Sequence, residues 1–170
     1  MAAPTATLAV GEILSRAALR RALAKDRRAG RRIAFTNGCF DLLHAGHVQY
    51  LDRIRRLADV LVVGINSDRS MHRLKGPGRP LVPQRDRARV LAALRSVAYV
   101  TIFDEVTPLA LIRAVRPDVL AKGADWAADR IVGADVVRRA GGRVVRIPLL
   151  IGRSTSRLIE RIVARYGCAN

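Results

Sequence analysis

The chain has 170 residues, half of them hydrophobic and only 4% aromatic, so a single domain with a core of Leu, Val, Ile and Ala is expected, and alternating helices and strands suit such a core. Its formal net charge of +17 raises nucleic-acid binding, but only Lys25, Lys75 and Lys122 of the 31 basic residues are lysine, and the arginines are dispersed over helix faces with few aromatics for base stacking, so no specific nucleic-acid partner is expected. No run of about 18 uncharged apolar residues could cross a membrane, the N-terminus does not read as a secretory leader, and Cys39 and Cys168 are too few for a disulfide scaffold; a cytoplasmic protein with reduced thiols is expected.

Residues 1 to 14 are weakly patterned and read as a partly ordered lead-in. Ser15 can cap a helix with an apolar stripe of Ala18, Leu19, Ala22 and Leu23 that ends near Gly30. Ile33-Ala34-Phe35 is an apolar strand broken by Asn37-Gly38, after which Val48, Leu51, Ile54 and Leu57 recur at helical spacing. Val60 to Ile65 reads as a buried parallel strand. Residues 69 to 82, with two glycines and two prolines among several basic residues, read as a mobile basic loop without a stable helix. A helix from Pro83 to Arg95, with Val90, Leu91 and Leu94 inward, precedes a strand from Val97 to Phe103. Thr107-Pro108 opens a helix that stops before Pro117, and Val119-Leu120-Ala121 is a short strand. One or two helices cover residues 127 to 140, Gly141-Gly142 turns the chain, Val144 to Leu150 is the last strand and Thr155 to Tyr166 the last helix.

Five strands alternating with helices predict one α/β domain over residues 1–170, a Rossmann-like, doubly wound, five-stranded parallel sheet. Ligands of such sheets bind beyond the carboxyl ends of the strands. At the first such end, His44 and His47 share a face at the start of a helix, whose unpaired amides suit a polyphosphate. Gly46 costs about 1 kcal/mol relative to alanine inside a helix, and lets phosphate oxygens approach the backbone. The bland alternative is a capped helix with ordinary histidines. No cluster completes a zinc site, so no protein-bound metal is expected.

Thr36-Asn37-Gly38-Cys39-Phe40-Asp41-Leu42-Leu43-His44-Ala45-Gly46-His47 resembles the signature of the cytidylyltransferase-like nucleotidyltransferases, whose hallmark is His-x-Gly-His. Lys75-Gly76-Pro77-Gly78-Arg79-Pro80, Lys122-Gly123-Ala124-Asp125-Trp126 and Ser154-Thr155-Ser156 are similar to the branch containing the adenylyltransferase domain of ADP-heptose synthase, and the likeness covers roughly residues 30 to 165. It implies transfer of AMP from ATP, with Mg2+, to a heptose 1-phosphate for surface polysaccharide synthesis. His44, His47 and Lys75 are implied as catalytic. Thr36, Asn37, Gly38, Cys39, Phe40, Gly46, Lys122, Gly123, Asp125, Trp126, Ser154, Thr155 and Ser156 are implied at the nucleotide, and Lys75, Arg79 and Arg87 at the substrate phosphate.

Several residues carry two readings. Asp41 either braces the turn or meets ligand, Arg87 either reaches phosphate or joins Arg85 and Arg89 on a solvated face, and Trp126 lies against the base or packs in the core. Ser154 has Arg157, not Glu or Gln, three residues on, so this first turn of hydroxyls and arginines points to an external anion. Relatives that make CDP-glycerol carry an arginine five residues before the Ser-Thr pair; here that position is Leu149, which argues against that acceptor. The chain begins about 30 residues before the motif, leaving no room for the sugar kinase domain of bifunctional relatives, so a separate heptose kinase is expected to supply the substrate. The likeness also implies a homodimer, to which the first helix could contribute. Two rivals are the same chemistry on glycerol phosphate or pantetheine phosphate, and a basic nucleotide- or RNA-binding module without turnover.

Overall fold

A strand that is apolar along its whole length has to be covered on both faces. In the computed structural model, which describes residues 10–150 and 152–167, Val60–Asn66 (β3) meets that condition at every position and lies inside the sheet. In chain order the other strands are β1 (Glu12–Ile13), β2 (Ile33–Gly38), β4 (Tyr99–Phe103), β5 (Val119–Gly123) and β6 (Arg143–Ile147). The helices are α1 (Arg16–Arg28), α2 (Ala45–Arg55), α3 (Asp68–Lys75), α4 (Gln84–Ala92), α5 (Leu109–Val115), α6 (Ala134–Arg139) and α7 (Thr155–Tyr166).

All pairings are parallel, in the order β1-β4-β3-β2-β5-β6. Side chains alternate across the sheet, so Leu61, Val63 and Ile65 of β3 pack with Leu51, Ile54 and Leu91, while Val60 and Val62 pack with Leu19, Leu23, Leu111 and Ile112. The chain runs outward from β2 in one direction and later from β5 in the other. The switch point therefore falls between β2 and β5. Their register covers only Ala34↔Val119 and Phe35↔Leu120, so the two strands part just before Asn37 and Lys122.

The expected doubly wound α/β domain is present, with six strands instead of five. The addition, β1, pairs Glu12 with Tyr99 and Ile13 with Val100 inside the stretch read as a weakly ordered lead-in. Two exposed residues offer no alternation to read. The apolar stripe of α1 is spent inside the subunit, where Leu19 and Leu23 are buried, and is not available to a dimer partner. The last helix matches its expected bounds but buries no residue, and leaves Ile162, Val163 and Tyr166 exposed.

The expectation of an irregular segment over residues 69 to 82 is corrected for residues 69–75, which belong to α3, while 76–82 have neither helix nor strand, as expected. Ser67 caps α3, its hydroxyl accepting from the Ser70 amide at 3.0 Å, and Asp104 accepts from the Ser67 hydroxyl and from Arg69. Beyond α3, the chain is tied down by Asp41. Its carboxylate accepts from Arg79 Nε at 2.6 Å and from the amides of Leu81 and Val82 at 3.0 and 2.8 Å. Asp41 thus braces a segment about 40 residues away in sequence. In α4, Leu91 is buried and Val90 49% exposed, and Leu94, just beyond the helix end, is half-buried, so Val90 departs from the expected inward set.

Candidate active site

The loop after β2 owes its shape to a few enforced contacts. Thr36 is fully buried, and its hydroxyl shares a hydrogen bond with that of Tyr50 at 2.8 Å. Gly38 closes the strand, and Phe40 takes a left-handed φ of 46°, rare for a bulky residue. That turn brings the Phe40 ring to 5.3 Å from the His47 ring. His44 and His47 stack, with centroids 3.9 Å apart and planes 25° from parallel. Gly46 has a firm local reason to be glycine, since a Cβ there would lie 2.9 Å from His44 Nδ1 and 3.3 Å from Arg153 Cβ.

Burial and the neighbouring His44 push His47 down to about 4, and burial together with Arg153 lowers His44 from its usual value. Both rings are therefore neutral at pH 7, each with one N–H to give. The Nδ1 atoms of both are buried without a hydrogen-bond partner among the described residues, as is Asn37 Oδ1. Leaving such a group unpaired costs about 1–3 kcal/mol, so three of them at one loop favour a partner from outside the chain.

Facing this loop is the N-terminus of α7. Ser154 caps it, accepting from the Arg157 amide at 3.2 Å, and the Thr155 hydroxyl donates to Leu42 O at 3.3 Å, joining α7 to the histidine loop. A cavity of about 250 Å³ lies between the two helix starts, lined by His44, Arg153, Ser154, Arg157 and Arg161 among others. Neither α2 nor α7 has an acidic residue in its first turn. Two positive helix ends and three arginines without a carboxylate give this cavity a lining that favours an anion. Arg161 was not singled out from sequence; its signal was the i, i+4 step from Arg157 on the same helix face. Ser156 is exposed and does not line the cavity.

Across the switch point, Lys122 is only 8% exposed, and its ammonium donates to Asn37 O at 3.0 Å where β2 and β5 part. Its Nζ lies 5.4 Å from the centroid of Trp126, which is 47% exposed and so is not the core residue of the alternative reading. Asp125 folds its carboxylate into the space a side chain on residue 123 would need, so any other residue there would have to displace that carboxylate. Burial pushes Lys122 down to about 8 from its ordinary 10.5. Between those values the unfolded chain binds the proton and the folded chain does not, so this residue makes stability rise with pH there. Lys122→Met should abolish a rise of at most about 3 kcal/mol between pH 7.5 and 10, read from urea midpoints against wild type. An unchanged pH slope would place the ammonium in solvent.

The phosphate trio separates. Lys75, at the end of α3, is exposed, has no ion-pair partner among the described residues, and acts electrostatically on the half-buried Cys39. Arg79 is committed to Asp41. Arg87 is corrected more strongly, being 1% exposed. It donates to Val82 O at 2.9 Å, Cys39 O at 2.6 Å, Asn66 O at 2.9 Å and the Asp68 carboxylate at 2.7 Å. It fits neither the phosphate-binding nor the solvated reading: it clamps the loop after β2 to the end of β3.

No group of three or more His, Cys, Asp or Glu residues that could hold a metal is found among the described residues, and none of their helices is long and apolar enough to cross a membrane. A Mg2+ ion would thus depend on oxygen ligands brought by a triphosphate and water, as this ion commonly does.

Comparison with known proteins gives a concordant result. A family model described as cytidylyltransferase-like matches residues 35–159. The bifunctional protein HldE of Syntrophotalea carbinolica is 55% identical over 155 residues, 91% of this chain and 32% of that protein. HldE of Magnetococcus marinus is 56% identical over 143 residues, 84% of this chain and 29% of that protein. The chain therefore spans about a third of the length of these curated relatives. Among solved structures, a lipopolysaccharide core biosynthesis protein from Thermoplasma volcanium aligns with a TM-score of 0.59 and 26% identity, over 71% of this chain and 98% of that one.

Proposed function

Since the chain belongs to the cytidylyltransferase-like family, we propose that it is an adenylyltransferase joining MgATP to D-glycero-D-manno-heptose 1-phosphate, giving ADP-heptose and pyrophosphate for surface polysaccharide synthesis in the cytoplasm. The observation that supports this most is the carboxylate-free anion cavity between α2 and α7, set against a stacked pair of neutral histidines. A phosphate oxygen of the sugar 1-phosphate attacks the α-phosphorus in line, the new P–O bond forms, and the bond to the bridging oxygen breaks with its electrons leaving on pyrophosphate. The nucleophile is already an anion, so positioning and charge stabilisation carry the rate. His44 and His47 donate to triphosphate oxygens as negative charge grows on the bridging oxygen, and Arg153, Arg157 and Arg161 hold the departing pyrophosphate. Asn37 to Phe40, Gly123, Asp125 and Trp126 surround the nucleoside, and Lys75 meets the acceptor phosphate. Magnesium, bound to the nucleotide, neutralises phosphate charge.

The heptose acceptor is favoured by the motif likeness, by the HldE relatives and by Leu149, whose side chain covers Gly123 where an arginine stands in glycerol phosphate enzymes. The acceptor must arrive already phosphorylated at C1, the product of a sugar kinase. A homodimer, proposed from the family likeness, needs a face other than α1, and α7 has apolar residues to offer. Pyrophosphate release measured with ATP and a panel of heptose 1-phosphate, glycerol phosphate and pantetheine phosphate should be at least about 100-fold faster with the heptose, a margin expected when a site built for the hydroxyls of a sugar ring meets an acceptor without that set. Equal or better rates with another acceptor would replace the substrate, and no release with any would replace the activity.

A further inference from the structure

We propose that the cavity of about 470 Å³ at the carboxyl ends of β3 and β4 is a subsite for the hydroxyl-bearing body of the acceptor sugar, with the phosphate held outside it, toward the histidine loop. This deepens the adenylyltransferase reading and rests on it. The cavity is lined by Ser67, Asp68, Arg69, Gln84 and Asp104 over a floor of Ile102 and Phe103. β3 neighbours β2 on the side opposite β5, so this cavity opens across the nucleotide loop from the switch point. The Arg87 guanidinium measures the separation: it donates to Cys39 O at 2.6 Å and to the Asp68 carboxylate at 2.7 Å. One planar group thus spans from the nucleotide loop to the cavity wall.

The wall has unused hydrogen-bonding capacity of both kinds. Asp68 Oδ1 accepts from Arg87, and its other oxygen has no partner among the described residues. Gln84 Oε1 accepts from the Asp68 amide at 2.8 Å, which leaves its amide NH2 to donate. Asp104 accepts from Ser67 and Arg69, using about two of roughly four lone-pair positions on its carboxylate. Acceptors and a donor within one recess suit hydroxyls, which give and take a hydrogen bond at once. Each wall carboxylate is already paired with an arginine, Asp68 with Arg87 and Asp104 with Arg69, so the recess offers a phosphate no uncommitted cation, which sets the direction of binding: hydroxyls inward, phosphate out. The cation outside is Lys75, which closes the same helix that Asp68 opens and whose charge is felt at Cys39.

The test is steady-state kinetics of the full chain with heptose 1-phosphate varied at saturating ATP, then the reverse, for Gln84→Leu and Asp104→Asn. Each should raise the KM for the sugar phosphate by about 10-fold or more while the KM for ATP moves less than about twofold, tenfold being the worth of one good hydrogen bond at 1.4 kcal/mol. Because Asp104 also holds α3, Gln84→Glu is the companion variant. It preserves shape, adds a third carboxylate and should raise the sugar KM at least as much. Sugar KM values within twofold of wild type, or an equal rise in both KM values, would overturn the subsite while leaving the activity in place. If wild type itself released no pyrophosphate with any sugar phosphate, the reading beneath the subsite would fall, and the subsite with it.

Discussion

Replacing His47 by alanine is expected to lower turnover by at least about 100-fold while ATP affinity changes far less. The reason lies in what the ring can do at neutral pH. Burial holds it near 4, so it enters the reaction as a neutral N–H donor with no strong ground-state attraction for the triphosphate. Its hydrogen bond strengthens as charge accumulates on the bridging oxygen, and an interaction stronger in the transition state than in the ground state is lost from kcat. Removing one preorganised donor from such a site costs about 100- to 1,000-fold. Single-turnover kinetics and equilibrium ATP binding separate the two effects. Unchanged turnover in a folded variant would remove the histidine pair from the mechanism. The same lowered value has a stability consequence. Between about 6.5 and 4 the unfolded chain protonates this histidine before the folded one, so it contributes to loss of stability as the pH falls through that window.

Arg87→Met should destabilise the fold by about 3 kcal/mol or more. The substitution leaves Val82 O, Cys39 O and Asn66 O without their donor, and each buried orphan costs about 1–3 kcal/mol, partly offset where water can enter. Asp68 is 39% exposed and rehydrates, which keeps the total near the lower end. Arg87→Lys should recover little, because a compact ammonium cannot reach acceptors on three sides of a planar fork. Urea unfolding gives the number. A loss below about 1 kcal/mol would mean that the guanidinium is free to serve phosphate after all.

The contrast between these two residues shows what was legible in the sequence. His44 and His47 stand out because three features coincide at one place: an apolar strand, an Asn-Gly break and a glycine between the two histidines at a helix start. Arg87 sits between Arg85 and Arg89 and looks like one of a charged set, yet Leu91, four residues on, marks its face as the inward one. Helical α3 was hidden for a similar reason. Gly76, Pro77, Gly78 and Pro80 dominate the reading of residues 69 to 82, although Ser67 and Asp68 provide a cap and an acidic first turn immediately before. The role of Asp41 in docking Arg79, Leu81 and Val82 was not readable at all, since it depends on partners about 40 residues away that carry no periodic signal. Local chemistry and hydrophobic period were visible; long-range polar closure was not.

Transfer of the α-phosphorus is the central claim, and its fate can be followed directly. Incubation of the full chain with ATP labelled at the α-phosphate, magnesium and heptose 1-phosphate should move the label into a nucleotide sugar, with pyrophosphate formed in equal amount. His47→Ala should slow that transfer by the factor given above. Label that stays in ATP, or appears in ADP or free AMP with no nucleotide sugar formed, would contradict the account.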